Sequence, residues 1–201
     1  MGISARRAFT GFLIGGSLGF ILGLFNGLFK LSEQIFDSTV HAARTVPIFA
    51  LIPLVILWFG IGEEAKIFIV AVGVFFPIYL NTYYGVRSVD PGLIEVGRVY
   101  GLSGLSLFSE VIFPGALSSI MVGVRFSLGV MWLALIVAET IAADSGIGYI
   151  TNNARESMQT DVVIAGILIY ALLGKSADLV SRLIERLLLP WRSHEAGLLK
   201  R

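Results

Sequence analysis

The stretch "DPGLIEVGRVYGLSGLSLFSEVIFPG", Asp90–Gly115, decides how the rest of the chain is read. It is the longest segment after residue 66 that a bilayer core would reject, and apolar runs flank it on both sides. Asp90 is a good helix N-cap, and Pro91 suits the first helical position, where its missing N–H costs nothing. The pattern predicts a helix to about Tyr100, ended by Gly101 in the left-handed conformation that closes helices. Ser103 then caps a second short helix that carries Leu105, Leu107 and Phe108 to Pro114. Val99, Leu102, Leu105 and Phe108 recur every three residues, so an apolar strip survives the break. Two readings stand at this point: a helix–turn–helix offered to a protein partner, or an interfacial helix lying on lipid.

Outward from this segment the chain is greasy. Of 201 residues, 56% are hydrophobic and 14% charged, against about 25% charged in soluble domains. A helical span needs about 20 apolar residues. Five candidate spans emerge, at about 8–29, 45–62, 66–86, 116–140 and 161–182. The second is the weakest, being short and interrupted by Pro47 and Pro53. The fold class is therefore an all-α integral membrane protein, one transmembrane domain over 1–201, with the 90–114 segment outside the membrane. Arg6 and Arg7 before an apolar run also suit a signal peptide, but that run is too long and glycine-rich, and no small-residue cleavage site follows.

Basic residues favour the cytoplasmic side of short loops. With Asp90–Gly115 cytoplasmic, Lys30, Arg44, Arg87, Arg98, Arg182, Arg186, Arg192, Lys200 and Arg201 all fall inside. Lys66 and Arg155 fall outside, with Glu63, Glu64, Asp144, Glu156 and Asp161. The C-terminus is then cytoplasmic. Arg6 and Arg7 break the rule, and the expectation drawn from them is a further span upstream of this chain.

Within the spans, Gly11, Gly15, Gly19, Gly23 and Gly27 recur every fourth residue and lay a smooth strip along one helix face. The strip serves either packing within the subunit or a dimer seam. Pro53 and Pro77 sit inside apolar runs, where each removes a hydrogen bond and can bend the helix. Arg125 and Glu139 are the informative intramembrane charges. Fourteen residues apart, they share a face but stand about 21 Å apart along it, so they do not pair. Glu139 reads as a candidate for a translocation path or its outer gate, or as interfacial. Arg125 reads as a weaker path candidate, or as a snorkelling cation. Lys175 and Asp178, at i and i+3, are expected to pair.

Several chemistries are excluded. There is no cysteine, so no disulfide or thiolate site exists. "GKS" at Gly174–Ser176 lacks the upstream glycine of a phosphate loop, since Ile169 stands there. His41 and His194 lack histidine or carboxylate neighbours at ligand spacing, which leaves no metal site. No catalytic constellation, no cofactor site and no basis for nucleic-acid binding appears, and the net charge is +1.

Glu95, Gly101 six residues later, and "VIFP" at Val111–Pro114 resemble the EAA loop of ABC importer permeases, E-A-A-x3-G-x9-I-x-L-P. Val96 and Gly97 replace the alanines, and Val111 and Phe113 replace isoleucine and leucine. From about Ser4 to Trp191 the chain is similar to the aliphatic-sulfonate branch of the nitrate/sulfonate/taurine permeases. The segments "ALIPLVILWFGIGEEAKIF", "FFPIYLNT", "FPGALSSI", "GVRFSLGVMWLALIVAET" and "SGIGYI" carry the likeness. Members of that group carry an additional N-terminal span before the segment that begins at Arg7.

The resemblance implies a type I permease fold in the bacterial inner membrane. It implies a homodimer set in lipid, two ATPase subunits gripping the loop at Glu95, Gly101 and Pro114, and a periplasmic or lipid-anchored binding protein that delivers substrate. Taurine or nitrate are alternative substrates in the same class. An ion-coupled secondary transporter is the alternative from another class; it would show repeated broken helices and mid-membrane carboxylates, and Glu139 is the one candidate.

Overall fold

The computed structural model describes residues 2–189; Arg192, His194, Lys200 and Arg201, which enter the charge and metal arguments above, lie outside them. The described residues form helices α1 (Gly2–Leu28), α2 (Lys30–Arg44), α3 (Ile52–Phe59), α4 (Glu63–Arg87), α5 (Pro91–Val99), α6 (Gly104–Leu107), α7 (Phe113–Ala142), α8 (Ile147–Glu156) and α9 (Thr160–Leu188). Among them, α1, α4, the run Gly104–Ile141 and α9 are long and apolar enough to cross a membrane.

The glycine strip settles the packing of α1. A Cβ on Gly11 would stand 2.7 Å from the Val70 Cβ, one on Gly19 2.5 Å from the Phe75 carbonyl oxygen, and one on Gly23 2.7 Å from that of Tyr79. Backbone lies on backbone, and the strip is spent on α4 of the same chain. Gly11 meets Val70 and Gly27 meets Val86, so α1 and α4 run parallel. The main core joins these two helices to α7 and α3 through Ala8, Ile52, Val55, Ile69, Val74, Met131 and Leu135.

Parallel neighbours oblige residues 29–62 to return the full depth of the bundle. The weak span expected over 45–62 is helical only at Ile48–Phe59, and it shares the return with α2. Helix α2 climbs along α4, from Glu33 bonded to the Tyr83 hydroxyl (2.6 Å) and Arg87 (2.8 Å) to Ile48 beside Gly73. The chain then turns through 87° into α3. Pro53 lies in the first turn of α3, so it bends nothing. Arg44, expected in one loop with Lys30, is carried about 21 Å away from it along α2.

The 90–114 segment begins as expected. The Asp90 carboxylate accepts from the Gly92 N–H at 2.8 Å. Gly101, with φ +84°, closes α5 in a Schellman motif: the Leu102 N–H reaches the Gly97 carbonyl at 3.0 Å and the Gly101 N–H that of Arg98 at 2.9 Å. The Ser103 N–H donates to the Ser106 hydroxyl at 3.1 Å as α6 starts. The far end differs. Pro114 does not stop the helix: a π turn at Phe108–Ile112 leads straight into α7, and Pro114 occupies the first turn of α7. The wider i→i+5 turn accommodates a residue that has no N–H to give.

Candidate functional site: a buried ion cluster and an exposed tip

Two places concentrate the polar chemistry. The first lies at the end of the bundle where α1 and α4 begin and α7 finishes. Arg7 and Glu139 are 2% and 1% exposed. Arg7 Nη1 donates to Glu139 Oε1 at 2.8 Å and to the Ser145 carbonyl at 2.7 Å. Its Nε donates to Glu63 Oε2 at 2.7 Å, while Nη2 binds Glu63 Oε1, a bidentate fork. The second Glu139 oxygen accepts from Ser4 Oγ at 3.1 Å and from the Gly148 N–H at 3.0 Å. Buried Lys66 adds a contact to Glu63 at 3.4 Å. Two cations meet two carboxylates, so the cluster is neutral as a whole.

The backbone is shaped to admit the carboxylate. Gly146 has φ +123°, and a Cβ there would fall on the Glu139 carboxylate itself. One on Gly148 would stand 2.6 Å from the Glu139 Cβ. "SGIG" at Ser145–Gly148 is thus a lid of backbone closed over one acid. Glu139 was expected at a path, its outer gate or the interface, with no partner named; its partner is Arg7, one of the two residues that broke the charge rule. Sequence reasoning treated the two separately because 132 positions divide them. An acid within an apolar run, an arginine at the edge of the first span and two glycines two residues apart were the available signals.

The second place is the tip of the 90–114 segment. Val99, Tyr100 and Leu105 are 86%, 83% and 80% exposed. Glu95 and Gly101 are exposed, and Pro114 is half-buried. Leu93, Val96 and Tyr100 border a groove of about 630 Å³ that reaches Glu110 and Pro114. Gly97 is buried, with room for no side chain: a Cβ would stand 2.9 Å from the Leu107 side chain.

Arg125 lies elsewhere. Its Nε donates to Asp178 at 2.7 Å, and Asp178 also accepts from Arg182 at 2.9 Å. The expected Lys175–Asp178 pair is therefore replaced by partners that reach the acid in better geometry, and Arg125 ties α7 to α9. His41 also corrects an expectation: Asp37, one turn earlier, is a carboxylate neighbour, with Nε2 3.2 Å from Oδ1. No group of three metal-ligating side chains occurs among the described residues.

This architecture matches known proteins. Residues 15–189 fit the family of binding-protein-dependent transport system inner membrane components. A putative aliphatic sulfonates transport permease protein, SsuC, of Escherichia coli K12 is 62% identical over 191 residues, which cover 95% of this chain and 73% of that one. Its namesake in Bacillus subtilis 168 is 47% identical, over 97% and 71% of the two chains. An amino acid ABC transporter crystallised with histidines shares the fold, with a TM-score of 0.74 over 92% of this chain and 91% of that one, at 18% identity. The chain belongs to the family of binding-protein-dependent transport system inner membrane components: it is a multi-pass, type I permease subunit of an ABC importer, not an enzyme, and its family works with an ATPase and a substrate-binding protein.

Proposed function

We propose that this permease imports aliphatic sulfonates as a homodimer, its chains forming one transmembrane domain each within membrane lipid. The 62% identity to a permease named for those substrates carries the substrate reading. The 90–114 segment is the coupling element for two ATPase subunits. What supports it is the apolar tip, with Val99, Tyr100 and Leu105 bare to solvent on a frame fixed by caps at both ends. Glu95 is the exposed contact residue, Gly101 sets the turn, and Pro114 marks where motion enters α7. Because the π turn leaves Gly104–Ile141 one continuous helical path, a push at the tip travels directly along α7. The segment faces the cytoplasm, as does the C-terminus, in accord with the basic residues Arg87, Arg98, Arg182 and Arg186 at that end.

Glu139 stands at the outer gate as a latch, joined to Arg7 and Glu63 at the membrane face that receives the binding protein. Arg125 braces α7 against α9 beside the path. Reconstitution in vesicles with the partner ATPase and binding protein tests the whole reading. Uptake of an alkanesulfonate driven by ATP is expected, with taurine and nitrate as competitors in the same assay. Uptake of nitrate alone would move the substrate assignment, and loss of all ATP dependence would overturn the coupling.

A further inference from the structure

Helices α7 and α9 are tied by charge at one level and leave a gap beside it. Arg125 Nε donates to Asp178 Oδ1 at 2.7 Å, and Arg182 Nε donates to Asp178 Oδ2 at 2.9 Å. One carboxylate serves two guanidinium groups, and each guanidinium carries four N–H donors besides the one at Nε. From this triad a groove of about 550 Å³ runs between the helices, walled by Val122, Phe126, Val130 and Leu133 and including Gly129 and Gly174. A Cβ added at either glycine would meet nothing within 4 Å. Unlike the glycines of α1, these two make no close helix contact; they leave room.

The groove has a direction. Arg182 lies six residues, about 9 Å, before the end of α9, so the triad stands toward one membrane face. From Arg125 the lining continues along α7 through Phe126, Gly129, Val130 and Leu133, about 12 Å deeper and wholly apolar. The charge is one-sided as well. Beyond Gly174, α9 carries Lys175, Asp178, Arg182, Glu185 and Arg186, and the charges of α7 are Arg125 and, at its far end, Glu139. Around the triad, Arg125, Lys175, Arg182 and Arg186 are set against Asp178 and Glu185, which leaves a positive excess.

We propose that the α7–α9 groove binds an anionic phospholipid, its phosphate held by Arg125 and Arg182 and one acyl chain laid along Gly129 and Gly174. A basic end at the membrane face and an apolar length toward the midplane match the polarity of a lipid in that leaflet, and arginines suit a phosphate. An apolar helix of a second subunit would fill the groove and leave the excess charge unanswered. In the orientation proposed above, the leaflet is the cytoplasmic one. Gly166 and Ser181 are the buried residues of α9, so a bound lipid supplies packing that this helix lacks within the subunit.

Native mass spectrometry tests this on the permease purified with its ATPase. The complex is offered equal amounts of phosphatidylglycerol and phosphatidylcholine with the same acyl chains. Wild type is expected to retain phosphatidylglycerol at least fivefold over phosphatidylcholine. R125Q/R182Q should abolish the preference, whereas D178N, which removes the competing carboxylate, should raise it. Both changes break the same triad, so a purely structural role would move them in one direction. G129L/G174L fills open space with every charge in place, and should also remove the retained phosphatidylglycerol. Equal retention of the two lipids by wild type overturns the proposal, since any lipid held would be unselective. So does a preference that survives both R125Q/R182Q and G129L/G174L, or one that D178N lowers. No arm measures transport: failure here leaves the import reading standing, and selective retention without sulfonate uptake faults that reading alone.

Discussion

The buried end of the bundle and its exposed tip handle polarity in opposite ways. At the Arg7–Glu63–Glu139 cluster, charges are taken out of solvent, and nearly every lone pair and N–H is answered by another element. At the 90–114 tip, backbone groups are answered by local caps while Val99, Tyr100 and Leu105 are left bare. The first arrangement spends its interactions inside the subunit and is intolerant of loss. The second spends few of them internally and keeps its surface for a partner. Stability and coupling are therefore separable along the length of one molecule.

Breaking the buried end should have the larger effect. Arg7→Ala leaves Glu139 enclosed without a cation, and removing one member of a buried pair costs about 3–5 kcal/mol. Thermal unfolding in detergent should show the loss, with ATPase retention falling only as the folded fraction falls. Gly15→Val presses a side chain into the Ala71 backbone, and overpacking of this kind costs about 1–3 kcal/mol; α1 and α4 should separate, which cross-linking of cysteines at Phe12 and Ile67 would report. Gly101→Val imposes a strain of about 1 kcal/mol at φ +84°. It should leave insertion intact and re-aim α6, lowering ATPase recovery in pull-downs. The smallest change is Glu95→Ala: with the side chain exposed, unfolding should not shift, and ATPase binding alone should weaken. If Glu95→Ala and Gly101→Val both retain the ATPase at the wild-type level, the tip is an interfacial helix and the contrast between the ends fails.

Much of the tip was legible because its signals are local. Asp90, Pro91 and Gly101 each act on hydrogen bonds within five residues, and each does in the structure what its chemistry dictates. Pro114 misled because a proline can open a helix as well as end one, and only the preceding π turn decides which. The glycine strip announced close packing, but the identity of the surface it meets, α4, is a long-range fact. Arg7 and Glu139 were both visible as anomalies, one against the charge rule and one against the bilayer. Their pairing was not, because it depends on α1 and α7 meeting at one end. The second span differs for another reason: apolarity marked 45–62, whereas the return through the bundle also takes in the more polar α2, joined at 87° to Ile48–Phe59.

The separation of the two ends is tested most directly by measuring one pair of variants side by side, Arg7→Ala and Gly101→Val, for unfolding temperature and for ATPase retained per folded permease. The account expects Arg7→Ala to lose stability while keeping the ATPase per folded molecule, and Gly101→Val to lose the ATPase while unfolding near the wild-type temperature. Parallel losses in both measurements for both variants would contradict it.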